Sequence, residues 1–317
     1  MTAVLTRQVV LSRTNANKKT FMLSGQGLLL SLIASLVFSV LGWFSTQLTP
    51  LHGLDIFAWR VIWTVPAMLL LLALLKHGPK MRSTLARFKH EPILWLALPV
   101  NALLLAIQQL MFMWAPLEGR LQEVSLGYFL LPLVMVLVGF FVYKERPSRL
   151  QWIAVFLALL GVMHELWLTR AFSWVTLVTA LGYPPYLMIR RALHLDPFSG
   201  FLLETLFILP AAVALVYLHP AATAALHSTP ILWVLLPCLG IMTATAFVCY
   251  LMASKLLTIG LLGILGYVEP VMLFMISLFI LGEPFSTAGL GTYIPIWLAI
   301  MLTCWHSAQT LHRQRKK

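Results

Sequence analysis

Apolar residues run through this chain in long blocks, and polar residues gather in the short breaks between them. Residues 28–48, 61–75, 124–143 and 231–253 carry almost no charge. Each block is long enough, or nearly so, to cross ~30 Å of hydrocarbon as a helix of ~20 residues. Along the whole chain the pattern predicts ten spans, at about 25–48, 54–75, 93–113, 124–143, 149–168, 173–190, 200–218, 231–253, 260–281 and 288–308. Gly53, Pro79, Pro116, Pro147, Pro197, Pro220 and Pro284 close the connections, and no linker is long enough to set off a soluble domain. The expected fold class is an all-α integral membrane protein of ten transmembrane helices.

One pattern occurs twice. Leu126-Gly127-Tyr128 precedes Pro132, Glu145 follows that proline by thirteen positions, and Pro147 closes the corner. Leu265-Gly266-Tyr267 precedes Pro270, Glu283 follows it by thirteen positions, and Pro284 comes next. A second correspondence places Arg60 six residues before Pro66 and Glu204 six before Pro210. Each copy holds five of the predicted spans, an odd number, so the two must cross the membrane in opposite senses. Inverted five-helix repeats of this kind place a site near mid-membrane, at the interface between the halves. The expected organisation is a cytoplasmic tail over 1–24, one repeat over 25–168, a second over 173–308, and a basic cytoplasmic tail over 309–317.

Composition supports the membrane reading: 60% of residues are apolar and 10% charged, and the mean hydropathy is +0.90. A soluble chain averages nearer ~25% charged residues. In such a chain the net charge of +12 would suggest nucleic acid. Here the basic residues read as topology signals and headgroup anchors, and no nucleic-acid partner is expected. Of 22 Lys and Arg, 19 fall on one side of the predicted topology. Arg120 and Arg170 fall on the other, and Arg60 lies within a span. Both termini are expected in the cytoplasm, with the polar, basic start retained as a tail. Cys238, Cys249 and Cys304 lie in apolar blocks without CxxC spacing and read as small buried residues. The nine histidines lack ligand spacing, so no metal or other cofactor is expected. No GxxxxGK[ST] loop occurs, which excludes ATP-driven transport by this chain alone.

The run Leu121-Gln122-Glu123-Val124-Ser125-Leu126-Gly127-Tyr128-Phe129, with Pro132, Glu145 and Gln151-Trp152-Ile153-Ala154-Val155, resembles the RarD branch of the EamA-type drug/metabolite transporter superfamily. Trp114-Ala115, Leu203-Glu204-Thr205 before Pro210, Thr243, Ala253, Lys255 and Tyr267-Val268-Glu269-Pro270 are similar to the same branch. The resemblance covers nearly the whole chain. It departs in the first span, which reads Leu41-Gly42-Trp43-Phe44, and in the third, where Gln108-Gln109 stands in place of the usual Asn-Trp pair. What it implies is ten spans in a bacterial inner membrane and export or exchange of small organic solutes.

An ionisable group in hydrocarbon costs about 2.5–3.5 kcal/mol at a helix centre on insertion scales, so each calls for an explanation. Glu269 lies near mid-depth in the ninth span and precedes Pro270, which frees backbone carbonyls. Its carboxylate either binds a cationic solute or exchanges a proton; the alternative is a protonated acid bonded to a neighbouring helix. Tyr128 and Tyr267 flank the two prolines and are candidates for a cavity wall, or for packing. Gln108, Gln109 and Asn101 share one face of the third span, and Trp114 lies near its end. They can line a cavity or bond neighbouring helices. Pro132, Pro270 and the Pro184-Pro185 pair are candidate helix breaks or hinges. Arg60 and Glu204 fall towards opposite leaflets, suiting a gating role or snorkelling to the interface. Glu145 and Glu283 read as helix-end anchors. The function expected is a secondary transporter of metabolites or drugs by alternating access, with protons as a candidate coupling ion. An uncoupled facilitator and an intramembrane enzyme acting on lipid-linked substrates are the rivals. The bilayer and a small-molecule substrate are the expected partners, and these residues assign no oligomeric state.

Overall fold

Helices make up nearly all of the computed structural model, which describes residues 24–115, 120–279 and 287–315. Pro116, Glu283, Pro284 and the terminal basic residues up to Lys19 and from Lys316 lie outside the described residues. In chain order the helices are α1 (Gly25–Ser45), α2 (Gly53–Leu74), α3 (Gly78–His90), α4 (Leu94–Trp114), α5 (Leu121–Phe141), α6 (Arg149–Thr169) and α7 (Trp174–Ala192). Then come α8 (Pro197–Leu218), α9 (Pro220–Ser228), α10 (Leu232–Leu256), α11 (Ile259–Gly266), α12 (Val268–Phe279) and α13 (Leu290–Arg315). Local chemistry sets many of the boundaries. Ser24, Ser148, Ser173, Asp196 and Thr258 each accept a backbone N–H at the start of the helix that follows, satisfying donors that have no intrahelical partner.

Among the described residues, eight helices are long and apolar enough to cross a membrane: α1, α2, α4, α5, α6, α8, α10 and α13. The other two expected spans differ in instructive ways. The sixth forms α7, a helix of 19 residues whose last turn carries Arg190 and Arg191. It runs unbroken through Pro184 and Pro185, which corrects the expectation of a break there. Each proline removes one donor, and a helix packed along Val175, Thr179, Tyr186 and Leu187 tolerates the loss. Likewise α5 continues through Pro132. The ninth span forms α11 and α12, separated by Tyr267 alone, whose φ of −66° and ψ of −14° stay helical, so Pro270 does not break the path. Two short helices, α3 and α9, occupy connections that the sequence pattern leaves as loops. Each has a proline at its start, and both are too short to register among the long apolar blocks.

The helices pack in a defined set of pairs: α1 on α10 and α12, α2 on α8 and α10, α4 on α7 and α8, α5 on α7 and α11, and α6 on α13. Without a hydrophobic drive between helices in lipid, small residues at the contacts set how close they come. The buried face of α1 is Gly27, Ser31, Ala34, Ser35, Ser39 and Leu41. A Cβ on Gly240 would lie 2.4 Å from the Trp63 carbonyl oxygen, and one on Gly263 would lie 2.9 Å from that of Pro132. So α10 meets α2, and α11 meets α5, with almost no side chain between the backbones. Large apolar side chains such as Leu70, Trp167, Trp233 and Trp305 point outward, as a lipid-facing surface requires. Cys238 is exposed among them, whereas Cys249 and Cys304 are half-buried; the expectation that all three are buried fails for the first.

Candidate functional site

Arg60 sits in the middle of α2 and is 4% exposed. Its Nε donates to Thr243 Oγ1 of α10 at 2.9 Å, and its guanidinium carbon lies 6.0 Å from the centre of the Phe247 ring. Both terminal amino groups of the guanidinium are left without a hydrogen-bond partner among the described residues. The side chain does not snorkel to the outer interface, because Thr243 and Phe247 hold it inside the bundle. That rules out the snorkelling alternative for Arg60.

Glu269 approaches the same region from the first turn of α12. Ser39 of α1 donates to the Glu269 backbone carbonyl at 3.1 Å. The carboxylate itself makes no hydrogen bond and no ion pair with a described residue. Arg60 is its charged neighbour, within electrostatic reach but beyond ion-pair distance.

Aromatic side chains gather in the same region. Tyr128 of α5, Tyr183 of α7 and Tyr250 of α10 all lie within electrostatic reach of Glu269. Phe38 meets Phe247 at 5.1 Å and Tyr250 at 6.3 Å between ring centres, Tyr183 meets Tyr250 at 6.5 Å, and Phe112 meets Tyr128 at 5.8 Å. The hydroxyls of Tyr128 and Tyr183 also lack a partner among the described residues. The arrangement is a cation and an anion on different helices, not paired with each other; Arg60 is buried and Glu269 half-buried. A buried charge without a partner costs several kcal/mol, so a complementary charge brought beside Arg60 is favourable.

Glu204 shows the opposite situation. It is fully buried, and Arg190 Nη1 donates to both of its oxygens at 2.6 Å. Asn101 Nδ2 adds a bond of 2.7 Å and Tyr186 Oη one of 2.9 Å. This network replaces the expected snorkelling to the inner interface. It knits α4, α7 and α8 together.

A third cluster joins helix ends. Glu145, just past α5, accepts the Ile259 N–H at 2.7 Å and the Gly260 N–H at 2.9 Å, the first two amides of α11. Beside it Arg191 Nη2 donates to the Ser254 and Leu257 carbonyls at 2.6 Å each, and its guanidinium lies 5.3 Å from the Tyr143 ring centre. Glu145 thus anchors the start of another helix, as its helix-end position suggests.

Of the residues singled out from sequence, the structure brings Arg60, Tyr128 and Glu269 together. Tyr267 is fully buried, and its hydroxyl donates to the Phe129 carbonyl at 2.8 Å, in the turn of α5 next to Pro132. Gln108 is buried and donates to the Val178 carbonyl at 2.9 Å, lying over Gly182. Gln109 is buried, and Trp114 packs on Trp174 with 6.0 Å between ring centres. Sequence reasoning missed Tyr183, Tyr250, Phe38 and Phe247. Their one available signal was position: Tyr183 immediately precedes the Pro184-Pro185 pair, and Tyr250 is among the few polar side chains of α10.

Comparison with known proteins agrees with the fold. The model of the EamA-like transporter family matches residues 25–164. The chloramphenicol-sensitive protein RarD of Pseudomonas aeruginosa is 50% identical over 295 residues, 93% of this chain and 99% of the relative. An uncharacterized transporter of Haemophilus influenzae is 38% identical, over 87% of this chain and 92% of its own. The protein RarD of Escherichia coli is 28% identical, over 92% and 98%. A protein solved by crystallography superposes with a TM-score of 0.61 at 17% identity, over 89% of this chain and 98% of that one. At that identity the likeness speaks for the fold alone.

Proposed function

Since the chain belongs to the RarD branch of the EamA-type drug/metabolite transporters, we propose that it carries a small organic solute through the Arg60–Glu269 site by alternating access, in exchange for a proton. The observation that carries this reading is the Glu269 carboxylate, held inside the bundle without a partner and facing a cation on another helix. A bare carboxylate in a low-dielectric site is costly. It crosses more readily once neutralised, by a proton or by the positive group of a solute. Because both compete for the same oxygens, moving one outward and the other inward couples them.

The proposed organisation is ten crossings in two inverted halves, 25–168 and 173–308, in the bacterial inner membrane with both termini in the cytoplasm. The helix contacts support it, since they occur in mirrored sets. The pair α1–α10 matches α7–α4, α2–α10 matches α8–α4, α1–α12 matches α7–α5, and α2–α4 matches α8–α10. The pairs α2–α8, α5–α11 and α6–α13 map onto themselves. In this reading the Glu145 and Arg191 contacts close the cytoplasmic end, and rocking of one half against the other opens it.

The test is solute-induced proton movement in sealed proteoliposomes, with wild type beside Glu269→Gln, over a panel of amino acids, organic cations and amphenicols. One solute class is expected to drive protons in the wild type and not in the variant. An undiminished proton signal in Glu269→Gln refutes the role of this carboxylate. Solute counterflow with no proton signal in the wild type refutes coupling and leaves an uncoupled facilitator.

A further inference from the structure

We infer that the cleft between the end of α2 and the start of α3 binds one anionic phospholipid, with Lys76 and Arg82 on its phosphate and Leu72, Ala73 and Met81 against its acyl chains. The cleft has a volume of about 540 Å³, within the ~300–1,000 Å³ typical of small-molecule sites. It is built from residues other than those of the Arg60–Glu269 site, and the inference does not depend on what that site carries. Along α2, Leu69, Ala73 and Lys76 fall at spacings of four and three, so they share one face of the helix. Leu69 and Ala73 are exposed, which makes an apolar strip on the lipid-facing side of α2 with a lysine at its head. The chain turns sharply at Lys76, whose φ is 54°, and the His77 N–H closes the helix on the Leu72 carbonyl at 2.9 Å. Glycine or asparagine is the usual residue at such a turn. The helix α3 begins at once, with Pro79 in its first turn. It is held along the end of the bundle by Arg87 Nη2, which donates to the Leu193 carbonyl at 2.8 Å, and by buried Thr84.

Charge decides the class of ligand. Lys80 of α3 lies 3.9 Å from Asp196, and Arg87 pairs with Glu91 at 2.8 Å. Lys76 and Arg82, which line the cleft, have no ion-pair or hydrogen-bond partner among the described residues. No acidic residue among the described ones lines it either. A phosphate diester accepts hydrogen bonds from both cations, the arginine through its planar fork of donors. A zwitterionic headgroup would bring an ammonium group for which the cleft offers no carboxylate. A free phosphate would use the cations alone. A phospholipid also covers Leu72, Ala73 and Met81, and its tails follow the apolar strip of α2 into the bilayer.

The test is native mass spectrometry of the full-length protein in detergent, titrated with phosphatidylglycerol or with phosphatidylethanolamine of the same acyl chains. Two basic residues near an anionic lipid are worth roughly 30-fold in affinity, so phosphatidylglycerol is expected to bind its first site tighter by that factor. Lys76→Asn with Arg82→Gln is expected to bring the two lipids level; asparagine tolerates the left-handed backbone at that turn. Lys89→Gln with Arg146→Gln removes the same charge from exposed positions outside the cleft and is expected to keep the preference. Ala73→Trp leaves both cations and blocks the apolar wall. It should weaken phosphatidylglycerol by about tenfold, equivalent to roughly two methylene groups of lost burial. Thermal midpoints identify any variant that does not fold, and the wild-type and Ala73→Trp arms then decide. No preference in the wild type overturns the inference. So does an equal loss in the Lys89 and Arg146 variant, since the attraction would then be diffuse, or an unchanged affinity in Ala73→Trp. Glycerol phosphate, the headgroup without tails, should not displace the lipid at millimolar concentration. Displacement by it assigns the cleft to a soluble phosphate and overturns the lipid.

Discussion

Replacing Glu145 by glutamine should loosen the end of the bundle at which α5 meets α11. The carboxylate takes two backbone N–H bonds, at 2.7 and 2.9 Å, from amides that begin α11 and have no helical acceptor. A hydrogen bond to a charged group contributes about 1.5–3 kcal/mol. Glutamine keeps one acceptor oxygen and loses the charge that favours a helix N-terminus. Glu145 is half-buried, so the lower part of the range applies, a loss of about 2 kcal/mol, or roughly 30-fold in the closed-to-open ratio. Alanine removes both bonds and should cost about 3–4 kcal/mol, several hundred-fold. The assay uses a chain with Cys238, Cys249 and Cys304 changed to serine and a single reporter, Ile259→Cys, at a position that is fully buried. Labelling by a membrane-impermeant maleimide is followed in vesicles that present this end of the bundle to the medium. Glu145→Gln should raise the labelling rate towards 30-fold, and Glu145→Ala further. An unchanged rate in a folded, transporting variant would refute the view that this carboxylate holds the end closed.

Two further outcomes test the packing. Glu204→Ala leaves the buried Arg190 guanidinium without the carboxylate it contacts at 2.6 Å; breaking such a pair costs about 3–5 kcal/mol. The thermal midpoint in detergent should therefore fall sharply, and a midpoint matching wild type would remove Glu204 from the folding account. Gly240→Ala puts a methyl group 2.4 Å from the Trp63 carbonyl oxygen. Because that neighbour is backbone, α2 and α10 must separate, at a cost of about 1–3 kcal/mol. Wild-type stability and expression of this variant would show that the two helices are less tightly apposed.

The amino-acid sequence by itself determined the class of protein and most of its spans, because a bilayer selects on local composition. A block of some twenty apolar residues reads the same in any tertiary context. Charges and tyrosines within such blocks stand out for the same reason, which is how Arg60, Tyr128 and Glu269 came into view. Tertiary packing decided what each of them does. Glu204 and Glu269 are alike in sequence, each a lone acid in an apolar block. Asn101, Tyr186 and Arg190 converge on the first and nothing among the described residues pairs with the second. Tyr128 and Tyr267 each follow a Leu-Gly pair, yet the first packs on Phe112 and the hydroxyl of the second donates to the Phe129 carbonyl. Glu145 finds its acceptor role 114 residues away, beyond any local pattern. In each case the deciding quantity is whether a buried polar atom has a partner. Such partners come from helices that are distant in the chain and adjacent only once it has folded.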